Sequence, residues 1–259
     1  MQNYKLIIEY DGTDYHGWQV QAEDVTIQAT IQNALSLMTK EFVILHGSGR
    51  TDAGVHALGQ TASFKTNTLI PAEAFVAGLN SLLPNDIVIR SCEPVDETFH
   101  ARFSARRKTY RYYIYNRPIP TAIGRRFAWH IRKPLDLAAM REAAACILGV
   151  HDFKSFEGTG SPRAHTVRTV LKADFYKKPD GYEKNDGVIV FEITADGFLR
   201  YMVRNLVGTF VDVGLSKTSV DEFKRILESR NRDAAGATAP PHGLFLVDVC
   251  YDQDRSLTP

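Results

Sequence analysis

One carboxylate, Asp52, and one cation, Arg50, share the loop Gly47-Ser48-Gly49-Arg50-Thr51-Asp52-Ala53-Gly54-Val55-His56. Three glycines in its first eight residues let the backbone turn tightly and bring side chains against a ligand. An ionised carboxylate held in such a loop can attack an electrophilic carbon or stabilise positive charge developing there. The loop lacks the Gly-Lys-Ser/Thr ending of a P-loop, and its spacing is not a dinucleotide fingerprint. A metal site would draw on His46, Asp52 and His56, but nothing else at ligand spacing supports one, and no metal is expected. The plainer alternative is an Asp that caps a turn, and the loop alone leaves both readings open.

A second set of residues with chemical potential follows Gly197. Arg200, Arg204 and Gly208 are spaced i, i+4, i+8 and flank an apolar stripe of Leu199, Met202, Val203, Leu206, Val207 and Phe210. Gly208 inside a helix costs roughly 1 kcal/mol relative to alanine, which favours a packing or functional reason such as the close approach of another backbone. Arg204 can equally be a surface arginine with its stem along the core edge.

The third feature is a charge asymmetry. The 34 residues from His100 to Lys133 hold ten Lys/Arg and no Asp or Glu, so a chain of net charge +1 carries −9 outside them. Arg102, Arg106, Arg107 and Lys108 open the run, and seven aromatics are interleaved: Phe103, Tyr110, Tyr112, Tyr113, Tyr115, Phe127 and Trp129. Cations among aromatic rings offer phosphate contacts and base-stacking surfaces. A solvated strand edge over core tyrosines would look the same in composition.

The elements that must position these residues alternate. Strand patterns cover Lys5–Tyr10, Phe42–Leu45, Gln60–Lys65 and Asp86–Ile89, and helical spacing covers 26–40 and a segment opened by Pro71. That half reads β-α-β-β-α-β. The second half has a strand at Tyr110–Tyr115 and a helix over 135–148 ending near Gly149. Strands at 166–176 and 187–195 follow, joined by a polar turn from Lys177 to Asn185. The Arg204 helix, a capping box at Ser219-Val220-Asp221-Glu222 and a final strand over Leu244–Val249 complete it. The pattern predicts two α+β halves, 1–105 and 106–259, each a split β-α-β unit.

With 259 residues, 44% of them hydrophobic and 24% charged, the chain is an ordinary globular one, able to bury a core without staples. Cys92, Cys146 and Cys250 are odd in number and widely spaced, which fits a reducing cytosol. No charge-free run is long enough for a membrane helix, and Met1-Gln2-Asn3-Tyr4-Lys5 runs into a strand without a secretory region. A cytoplasmic protein with no membrane partner is expected.

Gly49-Arg50-Thr51-Asp52-Ala53-Gly54-Val55-His56-Ala57 resembles the signature of the TruA family of tRNA pseudouridine synthases. The resemblance continues through Tyr10-Asp11-Gly12-Thr13-Asp14-Tyr15-His16-Gly17-Trp18-Gln19, Leu79-Asn80-Ser81-Leu82-Leu83-Pro84 and Phe99-His100-Ala101-Arg102-Phe103-Ser104-Ala105 with Tyr110-Arg111-Tyr112. Gly149-Val150-His151-Asp152-Phe153, Met202-Val203-Arg204-Asn205 and Thr238-Ala239-Pro240-Pro241-His242-Gly243-Leu244 complete seven motifs in the family's order. The resemblance implies conversion of uridine to pseudouridine at positions 38, 39 and 40 in the anticodon stem-loop of tRNA, by a homodimer without metal or cofactor. It implies two RNA-recognition-like or ferredoxin-like halves whose antiparallel sheets meet around a central cleft. It places the nucleophile on Asp52, its pairing arginine on Arg204, the active-site tyrosine on Tyr110 and an apolar pocket residue on Leu244, and has Arg50 handle the substrate backbone. The rivals are a non-catalytic RNA-binding module, which has no need of Arg50, Asp52 and Arg204, and a hydrolase gripping phosphate in the glycine loop, which the Asp52 charge opposes.

Overall fold

The computed structural model describes residues 1–158, 160, 165–180 and 183–252. It has ten strands and five helices of the α+β class among those residues, divided into two compact units: Met1–Lys108 with Phe245 onward, and Thr109–Leu244.

In the first unit, β1 (Gln2–Tyr10) lies between β4 (Ile87–Val95) and β3 (His56–Thr66), antiparallel to both. Tyr4, Leu6, Ile8 and Tyr10 of β1 are buried in strict alternation, as a strand covered on one face requires. Pro94 lies on β4, the outermost strand, where a missing N–H costs no ladder bond on the open side. The other side of β3 pairs with the two-residue β2 (His46–Gly47) and, in parallel, with β10 (Leu244–Tyr251) through Phe245 and Leu246. Helices α1 (Ile27–Thr39) and α2 (Ala72–Leu82) supply Ile27, Ile31, Leu35, Phe75 and Leu79 to the core. Tyr4, Phe64 and Phe75 meet there with ring centroids 5.2–5.4 Å apart. Thr26 caps α1 by accepting from the Ala29 N–H, whereas Pro71 stands at the N-cap of α2, one residue ahead of the expected first helical position.

The apolar run Phe42–Leu45 joins no ladder, contrary to the strand expected there. It alternates in burial, with Val43 and Leu45 inside and Phe42 and Ile44 outside, but the backbone of Leu45 is satisfied from α1. The Gln32 side chain accepts from the Leu45 N–H (3.1 Å) and the Gln28 side chain donates to the Leu45 carbonyl (2.8 Å). Two glutamines on a helix thus take, at Leu45, the bonds that a neighbouring strand would make.

In the second unit the strand order is β5 (Ala105–Asn116), β9 (Glu183–Ala195), β8 (Val167–Asp180), β7 (Gly149–Asp152). β6 (Trp129–Ile131) adds in parallel to β5. The unit boundary falls inside β5, between Lys108 and Thr109. β8 and β9 run further than expected, to a register pair Asp180–Glu183, so strand takes in most of the Lys177–Asn185 segment read as a turn; residues 181 and 182 lie outside the described residues. The core is aromatic. Phe175 and Phe191 from the hairpin meet Phe210 of α4 (Met202–Gly214), which stacks on Phe223 of α5 (Val220–Ser229), at centroid distances of 4.7–5.5 Å. The Ser219–Glu222 capping box is present with both of its hydrogen bonds. The remaining helix, α3 (Leu137–Ala145), is capped by Asp136 and buries Met140, Ala143 and Ala144.

Among the described residues no helix is long and apolar enough to cross a membrane.

Candidate active site

In the first unit, the loop between β2 and β3 carries Arg50 and Asp52 and is fastened from four sides. The Tyr10-to-Gln19 motif lies along it: the Trp18 N–H donates to the Thr51 carbonyl (3.1 Å) and the Gly54 N–H to the Tyr15 carbonyl (3.3 Å). That approach needs Gly17, whose φ is +91° and whose added Cβ would stand 2.7 Å from the Thr51 oxygen. From β1, the buried Tyr10 hydroxyl is 2.7 Å from Thr51 Oγ1. Burial raises the Tyr10 pKa well above the usual phenol range, so the hydroxyl stays protonated at neutral pH. From β3, Gln60 accepts from the Ser48 hydroxyl (2.6 Å) and donates to the Gly49 carbonyl (3.0 Å). Lys108 Nζ adds a charge-assisted bond to the Ser48 carbonyl at 2.6 Å.

Thr51 is thus buried while Asp52 is half-exposed and Arg50 exposed. The backbone is thus fixed on either side of Asp52, the pre-organisation that a catalytic carboxylate would use. His56 serves the framework: it is buried, stacks on Phe245 at 4.6 Å, and its Nδ1 accepts from the Gly12 N–H at 3.0 Å. Among the described residues no group of three His, Cys, Asp or Glu side chains is placed to hold a metal ion.

In the second unit, Arg204 lies on the first turn of α4. Arg200 does not share the helix as its spacing suggested, because the chain enters α4 through Tyr201 in the left-handed region (φ 60°). For a bulky residue that backbone is strained. It holds the Tyr201 ring against both cations, with the Arg200 and Arg204 guanidinium carbons 4.8 and 5.0 Å from the ring centroid. Nothing in the sequence marked Tyr201 except that it stands between two arginines.

Arg204 is also bonded in both directions to Ala239: its Nε donates to the Ala239 carbonyl (2.8 Å) and its own carbonyl accepts from the Ala239 N–H (3.1 Å). The segment 236–240 follows α4 closely. Thr238 Oγ1 and Arg232 donate to Asn205 Oδ1 (2.7 and 3.1 Å), and the Gly236 N–H donates to Thr209 Oγ1 (3.0 Å). Gly208 permits this approach, since a Cβ there would lie 1.7 Å from the Ala237 oxygen. The close backbone contact expected at Gly208 is therefore present, and it joins the Arg204 motif to the Thr238–Leu244 motif.

Tyr110 is buried on β5, its ring edge-on to Phe198 at 4.9 Å. Two residues on, Tyr112 donates its hydroxyl to the Pro240 carbonyl (2.7 Å), and Leu244 is buried at the start of β10. Burial, with the Arg204 cation adding to it, holds His242 below the usual imidazole range, so it is neutral at pH 7.

The cations of the basic segment divide into paired and exposed ones. Arg106 pairs with Asp252 (2.6 Å), Arg111 with the buried Glu192 (2.6 Å), and Lys108 faces the Asp52 loop. Arg102 and Arg107 are exposed.

The model of the family described as tRNA pseudouridine synthase matches residues 6–104 and 143–252, which hold Arg50, Asp52, Arg204 and Leu244. The chain belongs to this family. Tyr110 falls between the two matched stretches. Curated relatives named tRNA pseudouridine synthase A include those of Thermoanaerobacter sp. strain X514 (48% identical) and Acetivibrio thermocellus (49%). A further one, from Geotalea uraniireducens, is 45% identical, and each of the three alignments covers 97% of this chain and all of the relative. The chain is accordingly an isomerase of the tRNA pseudouridine synthase class.

Proposed function

We propose that this protein isomerises uridine to pseudouridine at positions 38, 39 and 40 of the tRNA anticodon stem-loop, with Asp52 as the catalytic carboxylate. The observation that carries the reading is the Asp52 loop itself: its backbone is fixed by Tyr15, Trp18, Gln60 and Lys108 while Asp52 stays accessible. A turn-capping aspartate has no use for that much external bracing.

In the reaction the N1–C1′ bond breaks, the uracil turns, and C5 bonds to C1′; the C5 proton leaves to solvent and N1 gains one. No electrons are exchanged, so a carboxylate and proton acceptors suffice. Asp52 takes up the developing positive charge by attack or by electrostatic stabilisation. The family resemblance implies Arg204 as its pairing cation, and such a partner keeps an aspartate ionised. A uridine inside a stem must leave its stack, at a cost of a few kcal/mol, and the Tyr110 ring with Leu244 offers it an apolar slot. Arg50, Arg102 and Arg107 hold phosphates, joined by Arg106 when it exchanges Asp252 for RNA. The protein works in the cytoplasm as a homodimer without metal or cofactor.

The test is release of tritium from C5-labelled uridine in an unmodified tRNA transcript. Release that stops when positions 38–40 are replaced by cytidine supports the assignment, and release that continues moves the target elsewhere.

A further inference from the structure

Of the seven aromatic rings in the basic segment, the structure withdraws most from solvent. Tyr110 and Tyr112 are buried, Tyr113, Tyr115 and Trp129 are half-buried, and Tyr115 is covered by the Arg117 guanidinium at 5.0 Å. Phe103 is the opposite case, with 73% of its surface exposed.

Phe103 does not stand alone, as a stray surface ring would. Its centroid is 4.4 Å from the His100 ring, which is itself 4.8 Å from His46, and the Arg102 guanidinium carbon lies 5.5 Å from the Phe103 centroid. His46 is the first residue of β2, which runs directly into the Asp52 loop. Burial, His46 and Arg102 together hold His100 below its ordinary pKa, so its ring stacks as a neutral aromatic at pH 7.

The turn that presents this row is built, not loose. The Ala101 N–H donates to Ser63 Oγ on β3 (3.1 Å), and Tyr251 donates its hydroxyl to the Ala101 carbonyl (2.7 Å). The buried Asn3 side chain donates to the Phe99 carbonyl (2.9 Å), and Ser104 bonds back to His100 through its backbone N–H (2.9 Å) and its hydroxyl (3.1 Å). Holding a phenyl ring in water on a turn this well fixed gains nothing for the fold. It pre-orients an apolar face beside a cation, which matches a nucleotide: a flat base for the ring and a phosphate for the arginine.

We propose that Phe103, backed by His100 and His46 and flanked by Arg102, is a stacking platform for an unpaired base of the RNA substrate. This rests on the reading that the chain acts on tRNA. An unpaired base is the occupant because a base inside a duplex has both faces covered by its neighbours, whereas a loop base can be splayed onto a ring. The contact is sequence-tolerant, since every base has a π-face.

Three variants test it, all at an exposed position that the core does not need. Phe103→Ala should raise the Kd for an unmodified tRNA transcript roughly five- to hundredfold, the range for losing one base–aromatic stack. Its salt dependence should stay unchanged, because no charge is removed. Phe103→Leu, apolar but without a π-face, should behave like the alanine variant. Phe103→Trp should restore affinity and give an emission quenched by tRNA beyond that of the wild-type protein, and not quenched by a blunt RNA duplex of equal charge. An unchanged Kd in Phe103→Ala, an equal loss on the duplex, or a tryptophan that tRNA does not quench would each overturn the platform. Wild-type tritium release in the same preparations separates the two claims: no release with quenching intact sinks the synthase reading and leaves the platform standing.

Discussion

Lys108 Nζ donates to the Ser48 carbonyl at 2.6 Å, so a lysine at the start of a basic strand serves the loop that holds Asp52, the proposed catalytic carboxylate. Seen as sequence, Lys108 is one of four cations available to RNA phosphates. The geometry gives it an internal role, and the two roles have different signatures. A lysine that positions Asp52 governs turnover; one that binds a phosphate governs affinity and its salt dependence.

Lys108→Met keeps the stem and removes the charge-assisted bond. Turnover should fall roughly tenfold, while the slope of log K against log salt changes by less than half of the ~0.7–0.9 expected for one lost phosphate contact. Single-turnover rates and a salt titration of tRNA binding distinguish the outcomes. A full slope change with normal turnover would return Lys108 to the RNA surface.

Arg107→Ala should lower that same slope by about 0.7–0.9, as expected for an exposed cation on a phosphate. Arg106→Ala should lower it less, because Asp252 already neutralises Arg106 and part of any contact is offset by breaking that pair. Equal slopes for the two variants would mean that the Asp252 pair does not persist in solution.

Gly208→Ala would drive a methyl group to within 1.7 Å of the Ala237 oxygen, a backbone atom that cannot swing aside. The segment 236–240 must then lift off α4, loosening the Ala239 bonds to Arg204. Overpacking of this kind costs about 1–3 kcal/mol, so the midpoint of thermal unfolding should fall by several degrees. Turnover should fall further than stability explains at temperatures where the variant is still folded. A variant with wild-type Tm and turnover would show that the 236–240 segment moves freely.

Glu192 gives a pH dependence whose sign is fixed by its neighbours. Burial opposes its ionisation, but Lys172 at 2.7 Å and Arg111 at 2.6 Å outweigh that and hold its pKa below the usual glutamate value. A depressed folded-state pKa stabilises the protein above the unfolded value of about 4.5, and the contribution is lost as pH falls through the folded value. Glu192→Gln should therefore be less stable than the wild type at pH 7, with the gap closing below pH 4.5. Urea midpoints across pH 3–7 measure it, and a gap that stays constant would mean the pair contributes nothing through charge.

What was legible in the sequence followed from local pattern. The strand-like run Lys5–Tyr10 announced β1, the 3.6-residue stripe announced α1 and α4, and Ser219 with Glu222 announced α5. The failures share a cause: their determinants are distant in sequence. Phe42–Leu45 reads as a strand, yet at Leu45 the side chains of Gln28 and Gln32 stand where a partner strand would bond. β6 and β7 have three and four residues, too short for a period, and exist because β5 and β8 offer them partners. Asp52 stood out in its glycine loop and Arg204 on its apolar-striped segment, but only the motif resemblance assigns them to one site with Tyr110; no spacing rule links the three. Gly208 was flagged by its helix penalty, but the identity of its neighbour, Ala237, was not readable. Tyr201 carried no signal at all, because a left-handed helix entry depends on what the ring packs against.

Asp52→Asn tests the role of the Asp52 carboxylate most directly, by keeping the shape and removing the charge. A group that acts chiefly in the transition state affects turnover, not affinity. In the tritium-release assay on unmodified tRNA, Asp52→Asn should release nothing above background, while its Kd for tRNA stays within about tenfold of wild type. Tritium release at a rate near that of the wild type would make Asp52 a turn-capping residue and require a different nucleophile.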